Sequence, residues 1–349
     1  MATDKQHKIP NAPNLRFPEF SEDWQECELN NIAPNITSGR DKPTQGIFSL
    51  YGSTERIGTV EKPSYLDEIV LVARVGANAG MMQIVNEPCG VTDNALVVNA
   101  STWNKYVYYY LLQYNLNRLV FGSGQPLITG GMLKKIKIHY GVKAERERIV
   151  ALLSLIDNRV STQIVAISKQ ESLIKAMAGK LTCEGERVRI ADLVDCHSST
   201  MQENDITNNG PYPVYGATGI CGYTDSPMCN EDAIIIVKDG SGVGNIKYAS
   251  GGFSILGTLC YLTAKQNVSI GYVYCCLINF DFSPYKTGMA IPHIYFKDYG
   301  KDKINMTIIA EQQRTKTLLF LLMDKLDVER KLLEQYKLQK QYLLSQMFI

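Results

Sequence analysis

Two glycine-rich loops carry the polar side chains that could bind a ligand. They are Arg-Val-Gly-Ala-Asn-Ala-Gly at 74–80 and Lys-Asp-Gly-Ser-Gly-Val-Gly-Asn at 238–245, and each follows an apolar run. Neither has the Gly-Lys-Ser/Thr ending of a phosphate-binding loop, and the residues after each loop favour a strand over a helix. The glycines fit a tight hairpin turn. A loop with so little side-chain bulk would also let its cation and its Asn or Ser side chains approach DNA.

Catalytic motifs are not found. An amino-methyltransferase would need an Asn/Asp/Ser-Pro-Pro-Tyr/Phe tetrad, and the nearest string, Ser-Pro-Tyr at 283–285, misses the second proline. A nuclease would need an acidic residue two places before a strand-ending cation, where this chain has Val72 before Arg74 and Ile236 before Lys238. The four histidines have no partnered Ser or Cys motif. We therefore predict a chain that is not an enzyme.

Composition indicates an ordinary globular protein. The chain has 349 residues, 45% of them hydrophobic, and a net charge of +1, which argues against wrapping nucleic acid by bulk charge. The nine cysteines form no Cys-x-x-Cys pair, so we expect free thiols, no bound metal and a reducing compartment. No signal peptide is visible, and apolar runs such as 233–237 are too short to span a bilayer. We expect a cytoplasmic protein without a membrane segment.

The chain repeats itself at a nearly constant interval. Tyr-Gly-Ser-Thr at 51–54 returns as Tyr-Gly-Ala-Thr at 215–218, which is 164 residues later, and the match continues through Gly80 and Gly244. A second string, Gly-Gln-Pro-Leu-Ile at 124–128, corresponds to Ala-Ile-Pro-His-Ile at 290–294. Its proline either ends a helix or shapes a binding loop. A duplicated domain presents two similar surfaces to a partner that has two places to contact.

Short apolar runs bounded by Gly, Asn and Asp predict that each copy is built mostly from strands. Residues 105–119 have helical spacing and predict one helix inside the first copy. Basic segments at 134–138 and 301–304 are expected to be strands whose lysines either contact DNA phosphates or lie on a solvated face. Each copy is thus predicted to be an α+β domain.

A long helix is predicted after each copy. Residues 144–181 contain no proline and place apolar side chains at steps of three and four, which predicts a coiled-coil seam. At ~1.5 Å per residue this helix would be roughly 57 Å long, longer than one domain is wide. A similar pattern begins near Thr307 and runs to the C terminus. We expect the two helices to pair as an antiparallel coiled coil.

The order of these motifs resembles the DNA-specificity subunit of type I restriction-modification enzymes. The Tyr-Gly-x-Thr turn, the glycine-rich loop, the Gly-x-Pro-x-Ile string and a long helix ending in Leu-Ile-Lys-Ala-Met (173–177) or Leu-Leu-Ser-Gln-Met-Phe (343–348) follow one another twice. The opening Leu-Arg-Phe-Pro-Glu-Phe (15–20) with Trp24 also looks like the start of that family. The resemblance covers essentially the whole chain.

The resemblance implies a pseudo-twofold α+β molecule with two duplicated target-recognition domains and two long helices. Its expected segments are a first target-recognition domain at 1–143, a central helix at 144–183, a second target-recognition domain at 184–307 and a C-terminal helix at 308–349. Each domain would read one half of a bipartite, asymmetric site in double-stranded DNA. The coiled coil would set the spacer and dock two methyltransferase subunits.

Further partners and cofactors are implied by the same resemblance. Restriction or motor subunits would join the full complex, and S-adenosylmethionine, ATP and magnesium would be bound by partner subunits, with no cofactor on this chain. The alternative is a coiled-coil adaptor whose paired domains bind proteins rather than DNA. Co-purification with a methyltransferase that carries the Asn-Pro-Pro-Tyr-type tetrad would separate the two hypotheses.

Two sets of residues are the candidate contacts. In the loops and turns, the candidates for DNA binding are Tyr51, Thr54, Arg74, Asn78, Gln125, Tyr215, Thr218, Lys238, Ser241 and Asn245. On the long helices, the candidates for docking the modification subunits are Arg148, Arg159, Lys169, Arg314, Lys325 and Lys337. The two glycine-rich loops differ in chemistry, so base contacts in one copy cannot be transferred to the other.

Overall fold

The computed structural model describes residues 11–120 and 126–349 of the chain. The chain divides into two compact units. The first unit contains the described residues up to Gln163 together with Leu332–Ile349, and the second is Ile164–Lys331. Each unit contains the strands and short helices of one copy of the repeat, and the strands and α-helices follow in the same order in both copies.

The first copy is a set of short strands with three short helices, followed by one very long helix. Its elements are β1 (Gln25–Glu28), α1 (Leu29–Ile32), β2 (Thr37–Ser38), β3 (Phe48–Tyr51), β4 (Arg56–Val60), β5 (Ile69–Ala73), β6 (Met82–Val85), β7 (Cys89–Val91), β8 (Ala95–Val98), α2 (Asn104–Tyr114), α3 (Gly130–Lys134), β9 (Lys137–Tyr140) and α4 (Lys143–Leu181). Short 3₁₀ turns lie at Ser101–Trp103 and Leu116–Leu119.

The second copy repeats this order. Its elements are β10 (Glu186–Arg189), α5 (Ile190–Leu193), β11 (Val194–Ser198), β12 (Tyr212–Gly216), β13 (Gly219–Thr224), β14 (Ala233–Val237), β15 (Ile246–Ala249), β16 (Ser254–Ile255), β17 (Leu259–Ala264), α6 (Ile270–Leu277), α7 (Phe296–Tyr299), β18 (Lys303–Met306) and α8 (Ile309–Met347). Its 3₁₀ turns are Glu203–Asp205 and Ser283–Tyr285.

The sheets of the two copies have the same topology. In the first copy the strand orders are β2-β8-β5-β6, β4-β3-β7 and β1-β9; in the second they are β11-β17-β14-β15, β13-β12-β16 and β10-β18. The one parallel pairing in each copy also corresponds, since β3 pairs with β7 and β12 pairs with β16. The predicted α+β fold with two duplicated domains is confirmed.

Strand β5 shows why the central strands are apolar throughout. Alternate residues of a strand point to opposite faces of its sheet. Ile69 and Leu71 pack in the cluster shared with the three-stranded sheet, whereas Val70 and Val72 pack in the cluster with α2. All are fully buried. Because both faces are covered, the run cannot alternate with polar residues.

Two local predictions in the first copy need correction. The helix predicted over 105–119 ends at Tyr114, because Asn115 adopts a left-handed conformation with φ of 58° and its side chain caps the following 3₁₀ turn. The segment 134–138 is not one strand: Lys134 is the last residue of α3, and β9 begins at Lys137. Both errors arise at turns between elements, where the apolar period alone does not mark the break.

The two long helices pack against each other in antiparallel order within each unit. In the first unit Asp157 of α4 forms an ion pair with Lys340 of α8, and Arg159, further along α4, lies over the ring of Tyr336. In the second unit Glu171 pairs with Arg330, and later residues of α4 pack around Leu319, earlier in α8. Within each unit, residue numbers rise along α4 as they fall along α8, so the two helices are antiparallel. The coiled-coil pairing predicted from the seam is confirmed.

The apolar content of α4 is also compatible with a membrane-spanning helix. One 18-residue window of α4 reaches a mean hydropathy of 1.3, so by length and composition alone this helix could cross a membrane. The short strand runs fall well below the length of a membrane span, but this helix does not. Its apolar positions Ile149, Leu153 and Ile156 are buried in the first unit, so packing accounts for at least that part of the hydropathy.

A buried carboxylate joins the start of α4 to the N-terminal segment of the first unit. Glu145 accepts hydrogen bonds from Arg16 Nε (2.7 Å) and Nη2 (2.9 Å) and from Trp24 Nε1 (3.1 Å). The Glu145 side chain is fully buried. The hydrogen bond to Glu145 also raises the pKa of Arg16. The charge of Glu145 is thus fully compensated in the folded protein.

The end of α8 completes the core of the first unit. Met347 and Phe348 are buried there, and Phe348 lies edge-on to the ring of Tyr106 at 5.5 Å. The backbone N–H of Leu15 donates to the carbonyl of Gln346 (2.9 Å). The last residues of the chain therefore belong to the first globular unit.

Candidate nucleic-acid interface

The two recurring strings of the first copy meet in space. The Gly76 N–H donates to the Pro126 carbonyl (3.2 Å), and the Ile128 N–H donates to the Arg74 carbonyl (2.8 Å). The glycine-rich loop and the proline string therefore form one loop cluster. Arg74 is held in it from both sides, since its own N–H donates to the Asn94 carbonyl (3.0 Å).

The second copy builds the same cluster with the same bonds. The Gly240 N–H donates to the Pro292 carbonyl (2.9 Å), and the Ile294 N–H donates to the Lys238 carbonyl (2.9 Å). Lys238 thus occupies the place of Arg74, and its N–H donates to the Thr258 carbonyl (3.0 Å). The string that sequence analysis treated as either a helix end or a binding loop is a structural partner of the glycine-rich loop.

Glycine is required at two places in each loop. Gly76 and Gly80 have φ of 76° and 91°, and Gly240 and Gly244 have φ of 95° and 90°, a region that side chains disfavour. The loops connect antiparallel neighbours, β5 to β6 and β14 to β15. The hairpin interpretation is confirmed. Because a strand follows, neither loop ends at a helix N terminus of the kind that binds nucleotide phosphates.

The Arg74 side chain is only loosely held. The Arg74 Nη1 lies 3.5 Å from the Asp93 carbonyl, the limit of a hydrogen bond, and the Arg74 Nε is buried with no partner among the described residues. Lys238 is half-buried. The loop tips, in contrast, are open to solvent, with Asn78 exposed in the first copy and Ser241 and Asn245 exposed in the second.

The Tyr-Gly turns lie beside these loops. The Tyr51 carbonyl accepts from the Thr92 N–H (3.0 Å), and the Tyr215 carbonyl accepts from the Leu256 N–H (2.9 Å), so both turns are anchored alike. The Tyr51 hydroxyl donates to Glu87 (2.8 Å), and burial together with this carboxylate raises the pKa of Tyr51. Both tyrosines are half-buried, more enclosed than expected for freely exposed contacts.

A small pocket opens beside the turn of the second copy. Its volume is about 190 Å³, and its lining includes Tyr215, Thr218, Asn245 and Lys247. The Lys247 ammonium lies 4.5 Å from the centre of the Tyr215 ring, a cation–π contact. The structure thus brings three of the second copy's candidate residues to one pocket.

The remaining DNA-binding candidates are less informative. Thr54 is half-buried in the turn of the first copy. Gln125 lies outside the residues that the structure describes. Sequence analysis missed Lys247 and its counterpart Gln83, although both lie at the same 164-residue interval as the turns. The interval could have found them, since they hold different polar side chains at equivalent strand positions.

The six basic candidates on the long helices are all exposed. Arg148 lies 3.6 Å from Glu19, Arg314 lies 3.9 Å from Glu311, and Lys337 lies 2.8 Å from Glu334. Arg159 lies over Tyr336. Lys169 and Lys325 form no ion pair within the described part of the chain.

Within residues 11–120 and 126–349, no group of three or more His, Cys, Asp or Glu side chains could hold a metal ion. All nine cysteines are free. The two loop clusters have the same main-chain hydrogen bonds and carry different polar side chains.

Comparison with known proteins identifies the family. The family model described as the type I restriction modification DNA specificity domain matches residues 15–170 and again 184–338. The chain therefore belongs to this family, as its motifs suggested. Members are recognition subunits rather than enzymes and carry no catalytic cofactor, so this chain is a non-catalytic DNA-specificity subunit.

Individual relatives agree with this assignment. A chain named as a type I specificity subunit from Mycoplasma genitalium is 26% identical over 270 residues, 70% of each chain. The crystal structure of a type I restriction-modification S subunit from M. genitalium is similar with a TM-score of 0.71, 19% identity and coverage of 97% of this chain and 99% of that one. A chain from a structural study of type I complex assembly and conformational transition has a TM-score of 0.52 at 15% identity, covering 96% and 99%.

Proposed function

We propose that this chain directs a type I restriction-modification complex to a bipartite, asymmetric site in double-stranded DNA. Each copy of the repeat reads one half-site, with Arg74 and Asn78 in one loop cluster and Lys238, Ser241 and Asn245 in the other. Tyr51, Thr54 and Gln125 contribute to the first half-site, and Tyr215 and Thr218 contribute to the second. The complex acts in the cytoplasm, where the host DNA lies.

The observation that carries this proposal is the pair of loop clusters. Their main chains make the same hydrogen bonds, from Gly76 to Pro126 and from Gly240 to Pro292. Their cations differ, Arg74 in one and Lys238 in the other. A shared scaffold with different side chains is what two different half-sites require, because bases are distinguished by side-chain donors and acceptors.

Two half-sites on one chain also make physical sense. One bidentate base contact contributes about 1–3 kcal/mol of discrimination, which is too little to select one genomic site. Joining two reading domains makes the second contact intramolecular, provided that the spacing of the half-sites fits. In the proposed pseudo-twofold arrangement the paired helices α4 and α8 set this spacing. The nearly neutral chain leaves much of the phosphate contact to partner subunits.

The outer faces of the helices are the proposed docking sites for two methyltransferase subunits. Leu155 on α4 and Leu321 on α8 are 60% and 62% exposed and occupy equivalent positions 166 residues apart. Exposed leucines at matching places fit two copies of one partner, and the six basic candidates lie on the same helices. S-adenosylmethionine is bound by these partners, and ATP and magnesium by the restriction or motor subunits.

The decisive experiment is methylome sequencing of the host with and without this chain. We expect one bipartite methylated motif to disappear when the gene for the chain is deleted and to return on complementation. A methylome that does not change would contradict DNA recognition and would favour the adaptor that binds proteins through its paired domains.

The proposal that the paired helices α4 and α8 set the spacing of the half-sites is tested by deleting one heptad from each helix. Seven residues shorten a helix by about 10.5 Å, equal to about 3 base pairs, and keep the seam nearly in phase. The methylated motif should keep both half-sites and lose about 3 base pairs of spacer. An unchanged spacer would show that the coiled coil does not set the distance between the half-sites.

A further inference from the structure

Gln83 and Lys247 occupy equivalent positions in the two copies. Gln83 on β6 pairs with Leu71 of β5, and Lys247 on β15 pairs with Ile235 of β14. Leu71 packs in a cluster that includes Tyr51, and Ile235 packs in the corresponding cluster with Tyr215. Both side chains therefore lie on the sheet face that adjoins the Tyr-Gly turn.

Lys247 shares its surroundings with the candidate DNA contacts of the second copy. It lines the pocket formed by Tyr215, Thr218 and Asn245, and its ammonium stacks on the Tyr215 ring at 4.5 Å. Lys247 is exposed, and no carboxylate pairs with it within the described residues. An unpaired cation at the mouth of this pocket is available to a ligand that offers acceptors.

The side-chain amide nitrogen of Gln83 is unpaired in the first copy. Its Nε2 is buried and has no partner among the described residues. Three other side-chain atoms are also buried without a partner among the described residues: Arg74 Nε just after β5, Thr92 Oγ1 just after β7 and Arg146 Nε near the start of α4. Buried polar groups normally have partners, so a base that accepts a hydrogen bond from the Gln83 amide would satisfy a group that the fold leaves unpaired. Turning Gln83 outward to a ligand breaks no hydrogen bond of this amide nitrogen.

Building on the proposed function, we propose that residues 83 and 247 are a matched pair of specificity determinants. Gln83 reads an adenine in the first half-site, and Lys247 reads a guanine in the second. A glutamine amide donates to adenine N7 and accepts from N6, whereas a lysine ammonium donates to guanine O6 and N7. The exchange of amide for ammonium at one structural position therefore helps to make the recognised site asymmetric.

The test is a reciprocal exchange read by methylome sequencing of the host, with each variant complementing a deletion of the chain in the intact complex. In Gln83→Lys, one adenine of one half-site should become guanine, with a change in preference of about 5- to 150-fold, the range that one bidentate contact provides. In Lys247→Gln, one guanine of the other half-site should become adenine. Each variant keeps the opposite half-site and the spacer, which shows that the complex is assembled.

A third variant keeps the test conclusive if Gln83→Lys does not fold. Gln83→Met has similar length and no hydrogen-bonding group, so it should accept several bases at the same position while the rest of the motif stays as in the wild type. A motif that both Gln83 variants leave unchanged would overturn the proposal for this residue. So would loss of selectivity in both half-sites at once.

The proposed function and this proposal fail in different ways. If deletion of the chain leaves the methylome unchanged, DNA recognition itself is wrong. If the deletion removes a bipartite motif but the exchanges at 83 and 247 leave its bases as they were, only the pair of determinants is wrong. Lys62→Gln, at an exposed position after β4 and outside both clusters, should leave every base of the motif unchanged.

Discussion

The two copies of the repeat agree in main chain and differ in the side chains set upon it. Both loop clusters need glycines of positive φ, at 76 and 80 in one copy and at 240 and 244 in the other. The cation after the central strand, in contrast, is Arg74 in one copy and Lys238 in the other. Loop geometry and recognition chemistry can therefore change independently, because main-chain hydrogen bonds hold the loop whatever side chain it carries.

The copies also differ in how their long helices begin. Glu145 near the start of α4 is fully buried between Arg16 and Trp24, whereas Glu311, 166 residues later on α8, has a side chain that is 52% exposed and forms an ion pair with Arg314 at 3.9 Å. The same residue type is a buried anchor in one copy and a surface charge in the other. Stability should therefore depend on the first and hardly on the second.

The largest expected effect comes from removing that anchor. Glu145→Gln removes the carboxylate that binds Arg16, so that the arginine keeps only its hydrogen bond to the Glu22 carbonyl and the attraction of the Glu22 and Asp23 carboxylates, and should destabilise the first unit by about 3 kcal/mol. The matched variant Glu311→Gln removes an exposed pair and should cost less than about 0.5 kcal/mol. Urea unfolding followed by tryptophan fluorescence measures the first unit directly, since Trp24 and Trp103 both lie in it. Equal effects of the two variants would contradict this difference.

Arg74 and Lys238 give the next largest effect. Arg74→Ala should remove one base contact and cost about 2 kcal/mol of discrimination in one half-site only. Lys238→Ala should relax the other half-site and serves as the matched control. Methylome sequencing of complemented strains records both half-sites in the same experiment. If either substitution reduced selectivity at both half-sites, neither cation could be assigned to a single half-site.

The duplicated leucines test whether the helices dock two equal partners. Leu155→Ala and Leu321→Ala should each weaken the binding of one modification subunit about tenfold and leave the other site unaffected. The double variant should weaken both. Titration of the assembled complex, with its mass measured by native mass spectrometry, distinguishes one occupied site from two. Two sites that respond alike to a single substitution would refute separate docking faces.

Much of the fold could be predicted from the sequence because its signals are periodic. The seam of α4 includes Ile149, Leu153 and Ile156, and all three are buried as the period of three and four requires. Helix breaks were harder: Asn115 ends α2 through a left-handed conformation that no apolar period reveals. The burial of Phe348 in the first unit was also not predicted, because it joins residues more than 200 positions apart.

The candidate interface was predictable only in part. The repeat interval identified the loops of Arg74 and Lys238, since glycine spacing is visible in the sequence. It did not show that the Pro126 string is bonded to the first loop, because that contact depends on the folded path of the chain. The same interval relates Gln83 to Lys247, but the sequence does not show that the Gln83 amide nitrogen is buried without a partner, because that also depends on the folded path of the chain.

The smallest expected effect concerns the strand pair that closes each domain. In the first copy Glu26 on β1 accepts a hydrogen bond from Lys137 on β9 (2.7 Å), which lowers the pKa of the Glu26 carboxyl. At the equivalent positions of β10 and β18 the second copy has Arg187 and Lys303, so it has no carboxylate to titrate there. The electrostatic contribution of this pair is therefore peculiar to the first copy.

A lowered pKa fixes the direction of the pH dependence. The folded protein holds the Glu26 proton less tightly than the unfolded chain does, so the pair stabilises the fold above the unfolded pKa, and this contribution is lost as pH falls through the folded pKa. Between about pH 5 and about pH 3, the wild-type urea midpoint of the tryptophan signal should fall slightly more than that of Glu26→Gln. Because the pair is exposed, the difference should be smaller than any effect above. If the urea midpoint of Lys137→Met fell with pH as much as that of the wild type, Lys137 would not be the cause of this pH dependence.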